Sequence, residues 1–364
     1  MRKEGEGRTS ESFRLLTSGL EKAAYVYDVD GTIKKGKETC FEQIAKLLAL
    51  GLRQVIISGN YFAQQRARMN ELVGLLKEKV KNPSDLNLIL SRFALICDGA
   101  GTLAEFLGAD SQNNPIIKID EEFNQLNKIE EEDIRLWIKV IKEVLENTYI
   151  PAYQKNVNEK LDPEWLKNQG FPISLQLRGA ENDPQTGLLA NYLLDDNQYQ
   201  ERRFVLTWDT GRGMQDKSHQ PNYSIPHTVQ LAIAPIRSKY RGIIIHEILQ
   251  KIDEKIRNGN VQYTRLRDNY DILYGGGANG WTIEIVKKGR HKGAALRYII
   301  KKYNLSPSLV DYFGDEYYVV KEAEQIYLGY FNRLLGKNYT PDNIITTPGN
   351  DVVVCEVEGV KVNA

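Results

Sequence analysis

Cysteine is scarce in this chain: its 364 residues include only Cys40, Cys97 and Cys355. An odd set without a CxxC spacing excludes a disulfide framework and a zinc knuckle. It suits three small buried hydrophobes in a reducing cytoplasm, the location expected for the chain. Histidine is scarce too. His219, His227 and His246 lack the spacing of a metal site, and His291 reads as structural. An excess of either charge is missing, with 48 basic and 48 acidic residues. That balance argues against a basic nucleic-acid-binding protein, so no nucleic-acid partner is expected. Long apolar runs are absent as well. Stretches such as Ile243-Ile244-Ile245 are far too short to span a bilayer, so no membrane partner is expected. The opening residues Met1 to Arg8 carry both signs of charge and no apolar core, unlike a secretory signal. Residues 1–21 read as a polar arm. No repeat and no low-complexity tract stands out. What remains is ordinary for a soluble globular protein: 41% apolar and 26% charged residues. The length suits two domains, or one core with a large insert.

Ala23-Ala24-Tyr25-Val26-Tyr27 is a short apolar run that stops at Asp28-Val29-Asp30-Gly31-Thr32. Phe41, Ile44, Ala45, Leu47 and Leu48 follow at helical spacing, and Gly51 ends that helix. Gln54-Val55-Ile56-Ile57 is a second buried strand, closed by Ser58-Gly59-Asn60, and a helix pattern covers Phe62 to Val80. Phe93-Ala94-Leu95-Ile96-Cys97 is a third strand, stopping at Asp98-Gly99. Strand and helix alternating through short connections predict a parallel sheet, with polar groups gathered where open α/β sheets bind ligands. The pattern changes after residue 98. A long helix is expected at Glu130–Asn147, strands at Ile173–Arg178, Thr228–Ala234, Val261–Leu266 and Trp281–Val286, and a loop excursion through the polar stretch Gly179–Pro226. After about residue 286 the alternation resumes with a helix from His291, a strand at Leu309–Phe313 ending in Gly314-Asp315-Glu316, and a last pair of strands at Val352–Val354 and Val360–Val362.

Asp28 and Asp30 stand two apart at a strand end, so both side chains point the same way. Two carboxylates this close need a cation beside them, or one must hold a proton. That suits a nucleophilic carboxylate next to a general acid/base with a divalent metal. A strand-end turn that caps the next helix uses the same residues. Thr32 offers a hydroxyl and a backbone N–H. Ser58 reads as a helix N-cap or an anion ligand, readings that are compatible because a helix N-terminus binds anions. Gly59 lets an anion approach the backbone. Lys292 opens a helix, where a cation opposes the dipole unless an anion sits with it.

The order strand–DxDGT, strand–Ser, Lys–helix, strand–GDE resembles the haloacid dehalogenase-like (HAD) phosphohydrolase superfamily. Its four motifs match Asp28-Val29-Asp30-Gly31-Thr32, Ser58, Lys292 and Gly314-Asp315-Glu316. The resemblance implies an α/β fold: a Rossmann-like parallel-sheet core from residues 22–98 and 286–364, interrupted by a large α+β cap of the C2 type at residues 99–285. The hinges would lie at Asp98-Gly99 and around Val286–Gly289. It implies Asp28 as nucleophile and Asp30 as general acid/base, with Thr32, Ser58, Gly59 and Lys292 around the phosphate. Mg²⁺ would be held by Asp28, Asp30, Asp315 and a further acid. Relatives place that acid soon after the first. Here Glu316 competes with Asp351, which follows Gly349-Asn350 much later in the chain. From the cap, Arg178, Arg237 and Arg241 are candidate substrate contacts. The implied activity is a Mg²⁺-dependent phosphatase acting on a small phosphorylated metabolite, a sugar phosphate foremost. A sugar phosphomutase and a catalytically weak ligand-binding protein are the alternatives.

Overall fold

The computed structural model describes residues 23–29, 32–35, 38–59, 62–97, 99–144, 147, 176–178, 188–195, 203–209, 228–233, 241–275, 282–315, 332, 336–345 and 352–363. The polar arm at residues 1–21 lies outside them.

The first strand, β1 (Ala24–Tyr27), is followed by a short hairpin of β2 (Lys34–Lys35) and β3 (Glu38–Thr39), then by helix α1 (Phe41–Ala49). Phe41, Ile44, Ala45 and Leu48 form the buried stripe of α1, as their spacing predicts. Gly51 sits just past its end at φ 86°, a conformation that glycine adopts without strain. Strand β4 (Arg53–Ile57), helices α2 (Phe62–Lys79) and α3 (Pro83–Leu90) and strand β5 (Phe93–Cys97) continue the alternation. All five residues of β5 are buried. A parallel strand covered on both faces reads as an unbroken apolar run for this reason.

The chain then stays in the same sheet. Strands β6 (Thr102–Ala109) and β7 (Pro115–Ile119) add antiparallel hairpin strands beyond β5, and helix α4 (Glu121–Asn127) packs back on the core through Phe123. The boundary drawn at residue 98 is therefore corrected: residues 102–119 belong to the core sheet. Thr102, Leu103 and Ala104 have no place to be buried except against β5 and the core beneath it. Asp98 lies outside the described residues; Gly99 is in a turn before β6, which pairs with β5 in the same sheet.

A second sheet follows helix α5 (Glu131–Val144). Its strands are β8 (Gln176–Arg178), β9 (Leu188–Asp195), β10 (Arg203–Asp209), β11 (Thr228–Ile233), and, beyond helices α6 (Arg241–Arg257) and α7 (Thr264–Asn269), β12 (Tyr270–Gly275) and β13 (Thr282–Lys287). The six run in the order β12-β13-β11-β10-β9-β8, each pair antiparallel. Two expectations are corrected here. The stretch Gly179–Pro226 holds β9 and β10. Val261–Leu266 is helical: Tyr263 and Leu266 are buried at a spacing of three, while Val261 is 73% exposed.

Helix α8 (Lys292–Lys302) and strands β14 (Val310–Phe313) and β15 (Lys361–Asn363) complete the core. The finished sheet has seven strands in the order β15-β14-β1-β4-β5-β6-β7. Its first five are parallel, with β1 central between β14 and β4. Val352–Glu356, expected to begin with a strand, is a 3-10 turn that buries Val354. Residues 336–345 do not sit on the core. Ile345 N–H donates to Gly242 O at 3.2 Å, and both Lys337 and Tyr339 bond to Glu247 of α6. Of the cysteines only Cys97 is buried; Cys40 and Cys355 are exposed, at the start of α1 and in the 3-10 turn, which corrects the expectation of three buried thiols. Among the described residues, no helix is long and apolar enough to cross a membrane.

Candidate active site

The parallel pairing of β1 with β14 and β4 places the three strand ends side by side. Tyr27 is in register with Phe313 on one side and with Ile56 on the other. The ladder runs one residue further, since Asp28 N–H donates to Phe313 O at 2.8 Å. Asp28 is thus fixed by its backbone between two neighbours, and its side chain is buried, 6% exposed. One carboxylate oxygen accepts the Val29 N–H at 2.7 Å. The other faces Lys292 Nζ at 3.0 Å, in an ion pair whose side chains are 8% and 7% exposed.

Lys292 is the first residue of α8, and the preceding His291 caps that helix by accepting the Ala294 N–H on Nδ1 at 3.1 Å. Burial, and then Arg297 nearby, hold the His291 pKa below its usual value, consistent with a neutral ring whose Nδ1 lone pair is in use. A lysine at the positive end of a helix is disfavoured on its own. Here Asp28 offsets it. Helix terminus and ammonium together make the end of β1 a place where added negative charge is tolerated.

The surrounding loops are tied together. Ser58 N–H donates to Ile96 O at 2.8 Å, and the Gly59 carbonyl accepts the Gly99 N–H at 3.2 Å. The Gly99 carbonyl in turn accepts both Nε and Nη2 of the buried Arg290, at 3.0 and 2.8 Å. The ends of β4 and β5 and the residue Arg290 before α8 are therefore linked by a chain of hydrogen bonds. A Cβ built on Gly59 would meet nothing within 4 Å, so the space beside that residue is open. Thr32, in the turn after β1, holds a buried hydroxyl oxygen with no hydrogen-bond partner among the described residues. Such an orphan in a polar pocket fits a missing ligand. Asp315 follows β14 directly and is exposed.

Asp28, Thr32, Ser58, Gly59, Lys292 and Asp315 thus all follow or flank elements that converge on this edge of the sheet. Asp30, Glu316, Asp351 and Arg237 lie outside the described residues. Arg178 is the last residue of β8, at the edge of the second sheet, and Arg241 opens α6. Two residues escaped the sequence reading. Gln65 bonds to Ser58, and its signal was available: it shares the helical stripe of Met69, Leu72, Val73 and Leu76, all 0% exposed. Arg290 carried no such signal. A cleft of about 780 Å³ beside α5 and α6 belongs to the second unit. Its Lys251, Arg267 and Lys337 are already paired with Glu254, Asp253 and Glu247.

Among the described residues no cluster of three or more His, Cys, Asp or Glu could hold a metal ion, but the hard oxygen donors at the strand ends are of the kind a dication takes. Carboxylate oxygens from Asp28 and Asp315 stand at the ends of adjacent strands, and a carboxylate already bonded to Val29 and Lys292 keeps lone pairs for a further partner.

No family model matches the chain, and no curated protein matches it. Solved structures do align with it. The IMP-nucleotidase of Plasmodium falciparum aligns at 15% identity over 84% of this chain and 61% of that chain, with a TM-score of 0.41. A haloacid dehalogenase-like hydrolase from Bacteroides thetaiotaomicron aligns at 12% identity over 85% of each chain, with a TM-score of 0.39. A protein from Streptococcus mutans aligns at 13% identity over 93% of this chain and 86% of that chain, with a TM-score of 0.39. The chain spans about three fifths of the length of the Plasmodium falciparum enzyme. At these identities and TM-scores the matches carry no argument about this chain, and the chemistry rests on the residues at the strand ends.

Proposed function

We propose that this chain is a phosphatase that cleaves a small phosphorylated metabolite through an aspartyl-phosphate on Asp28, with Mg²⁺ bound at the strand ends. The buried Asp28–Lys292 pair carries this reading. Lys292 faces the carboxylate at 3.0 Å and would offset the charge of an arriving phosphate, which would otherwise repel the nucleophile. An oxygen of Asp28 attacks phosphorus, the P–O bond to the substrate alcohol breaks, and the leaving oxygen takes a proton from Asp30. Water then attacks the same phosphorus and loses a proton to Asp30. The Asp28–phosphorus bond breaks, releasing phosphate and regenerating the carboxylate. Ser58 and Lys292 hold phosphoryl oxygens, and Thr32 and the Gly59 backbone line the same pocket. Asp28, Asp30 and Asp315, with Glu316 or Asp351, would hold Mg²⁺, which when bound supplies charge neutralisation at the phosphoryl group.

The second sheet with α5, α6 and α7 is proposed as the cap. Its crossings to the core are set at Lys128 to Glu130, after α4, and at Lys287 to Arg290. Arg178, Arg237 and Arg241 are carried forward as its candidates for substrate contact. A phosphate-release screen with Mg²⁺ over sugar phosphates and nucleoside monophosphates tests the proposal, with Asp28→Asn as control. Release from at least one class by the parent and none by Asp28→Asn is expected. Equal release by both would overturn it.

A further inference from the structure

Ser58 is 2% exposed, and its hydroxyl oxygen accepts a hydrogen bond from Gln65 Nε2 at 3.1 Å. Gln65 is itself 0% exposed, in the first turn of α2. A carboxamide on an apolar stripe is costly unless its polar ends are bonded. Its oxygen and nitrogen ends are similar in shape, so the bonding network decides which way it faces. Arg68 makes that decision here. Its Nη1 lies 3.0 Å from the other end of the Gln65 amide. A guanidinium only donates, so the atom facing it must be the carbonyl oxygen. The NH₂ group is then left facing Ser58.

A serine hydroxyl has one proton and two lone pairs. If the amide were reversed, its oxygen would accept that proton. With the amide donating into Oγ, the proton is directed to a different acceptor. We propose that Gln65, oriented by Arg68, is a positioning residue that keeps the Ser58 hydroxyl a donor to the substrate's phosphoryl oxygen. This rests on the reading of Ser58 as a phosphate contact. The polar residue on the α2 stripe thereby gains a reason to be there, and the helix after β4 acts on the phosphate through a side chain as well as through its terminus.

The test uses Gln65→Glu and Gln65→Met in the full chain, each also combined with Ser58→Ala. Glutamate pairs with Arg68 but presents only acceptors, so the Ser58 proton turns toward it. Affinity for inorganic phosphate, by calorimetry, and kcat/KM for p-nitrophenyl phosphate are expected to fall roughly 10- to 100-fold, the size of one hydrogen bond to a charged group. Methionine adds no charge and leaves the hydroxyl unguided; a smaller loss of roughly three- to tenfold is expected. In the Ser58→Ala background neither change should lower phosphate affinity further, because a positioning effect needs the hydroxyl. Parental affinity in both Gln65 variants, with Ser58→Ala weakened, would overturn the inference alone. The same loss with and without Ser58 would overturn it too, as simple charge repulsion or misfolding. Parental affinity in Ser58→Ala would overturn both the phosphate contact and the inference drawn from it.

Discussion

Replacing Lys292 with methionine removes the cation that faces Asp28 across 3.0 Å, while the stem of the side chain is kept. Both side chains are less than a tenth exposed, so water replaces little of what is lost. At this separation and an effective dielectric of about 20, the attraction is about 5 kcal/mol. Breaking one half of a buried pair typically costs about 3–5 kcal/mol, because the other charge is left uncompensated. Lys292→Met should therefore destabilise the core by about 3–5 kcal/mol, whereas Asp28→Asn with Lys292→Met should fall within about 1 kcal/mol of the parent. Among the described residues, Trp137 lies in α5 and Trp208 in β10, both outside the core sheet, so fluorescence is a poor probe of the core. Hydrogen exchange of β5 amides in a urea series, without added metal, reads the core directly. A single variant as stable as the parent would refute the argument. So would a double variant as unstable as the single, since the cost would then come from lost packing rather than an orphaned charge.

Chelation should remove phosphate release, with Mg²⁺ restoring it and Ca²⁺ failing, because Ca²⁺ takes more ligands in looser geometry; full activity in metal-free protein would contradict this. His291 should make stability pH-dependent. Its folded pKa is lowered, first by burial, so the unfolded chain binds its proton more readily, and stability is lost as pH falls through about 6.5. Protonation of Nδ1 also breaks the cap on Ala294, worth about 1 kcal/mol. His291→Ser, which keeps a capping oxygen, should flatten this slope in thermal unfolding between about pH 7.5 and 5.5; an unchanged slope would count against it. His246 is lowered by burial as well, with Glu247 and Lys337 facing it, so some slope should remain in that variant.

The core was legible where burial on both faces leaves an unbroken apolar run, as in Phe93–Cys97, or where a helical stripe is clean, as in Phe41–Leu48. The strand ends were legible for the same reason, because polar residues stand out when an apolar run stops, as at Asp28 and Ser58. Elsewhere composition misled. Asn, Asp and Gln between Gly179 and Pro226 masked β9 and β10, whose Leu188–Asp195 and Arg203–Asp209 pair antiparallel within a polar stretch. Val261–Leu266 and Val352–Val354 have β-branched content, yet their buried residues recur at a spacing of three, Tyr263 with Leu266 and Val354 with Val357, which turns them helical. Strands β6 and β7 were hidden because the unbroken apolar run of the parallel strands gives way at the antiparallel edge to partial alternation, a change that read as the end of the sheet. Gln65 was overlooked because the motif ends at Ser58, while its partner lies beyond it in the first turn of α2.

The central claim is covalent chemistry at Asp28, and rapid acid quenching tests it most directly. The parent is mixed with a substrate found in the phosphate-release screen, quenched during turnover, and digested for mass spectrometry. The account predicts a phosphoryl group on the carboxylate of Asp28, in the peptide that ends β1, and no adduct in Asp28→Asn. A phosphoryl group on any other residue, or turnover by Asp28→Asn at the parental rate, would contradict it.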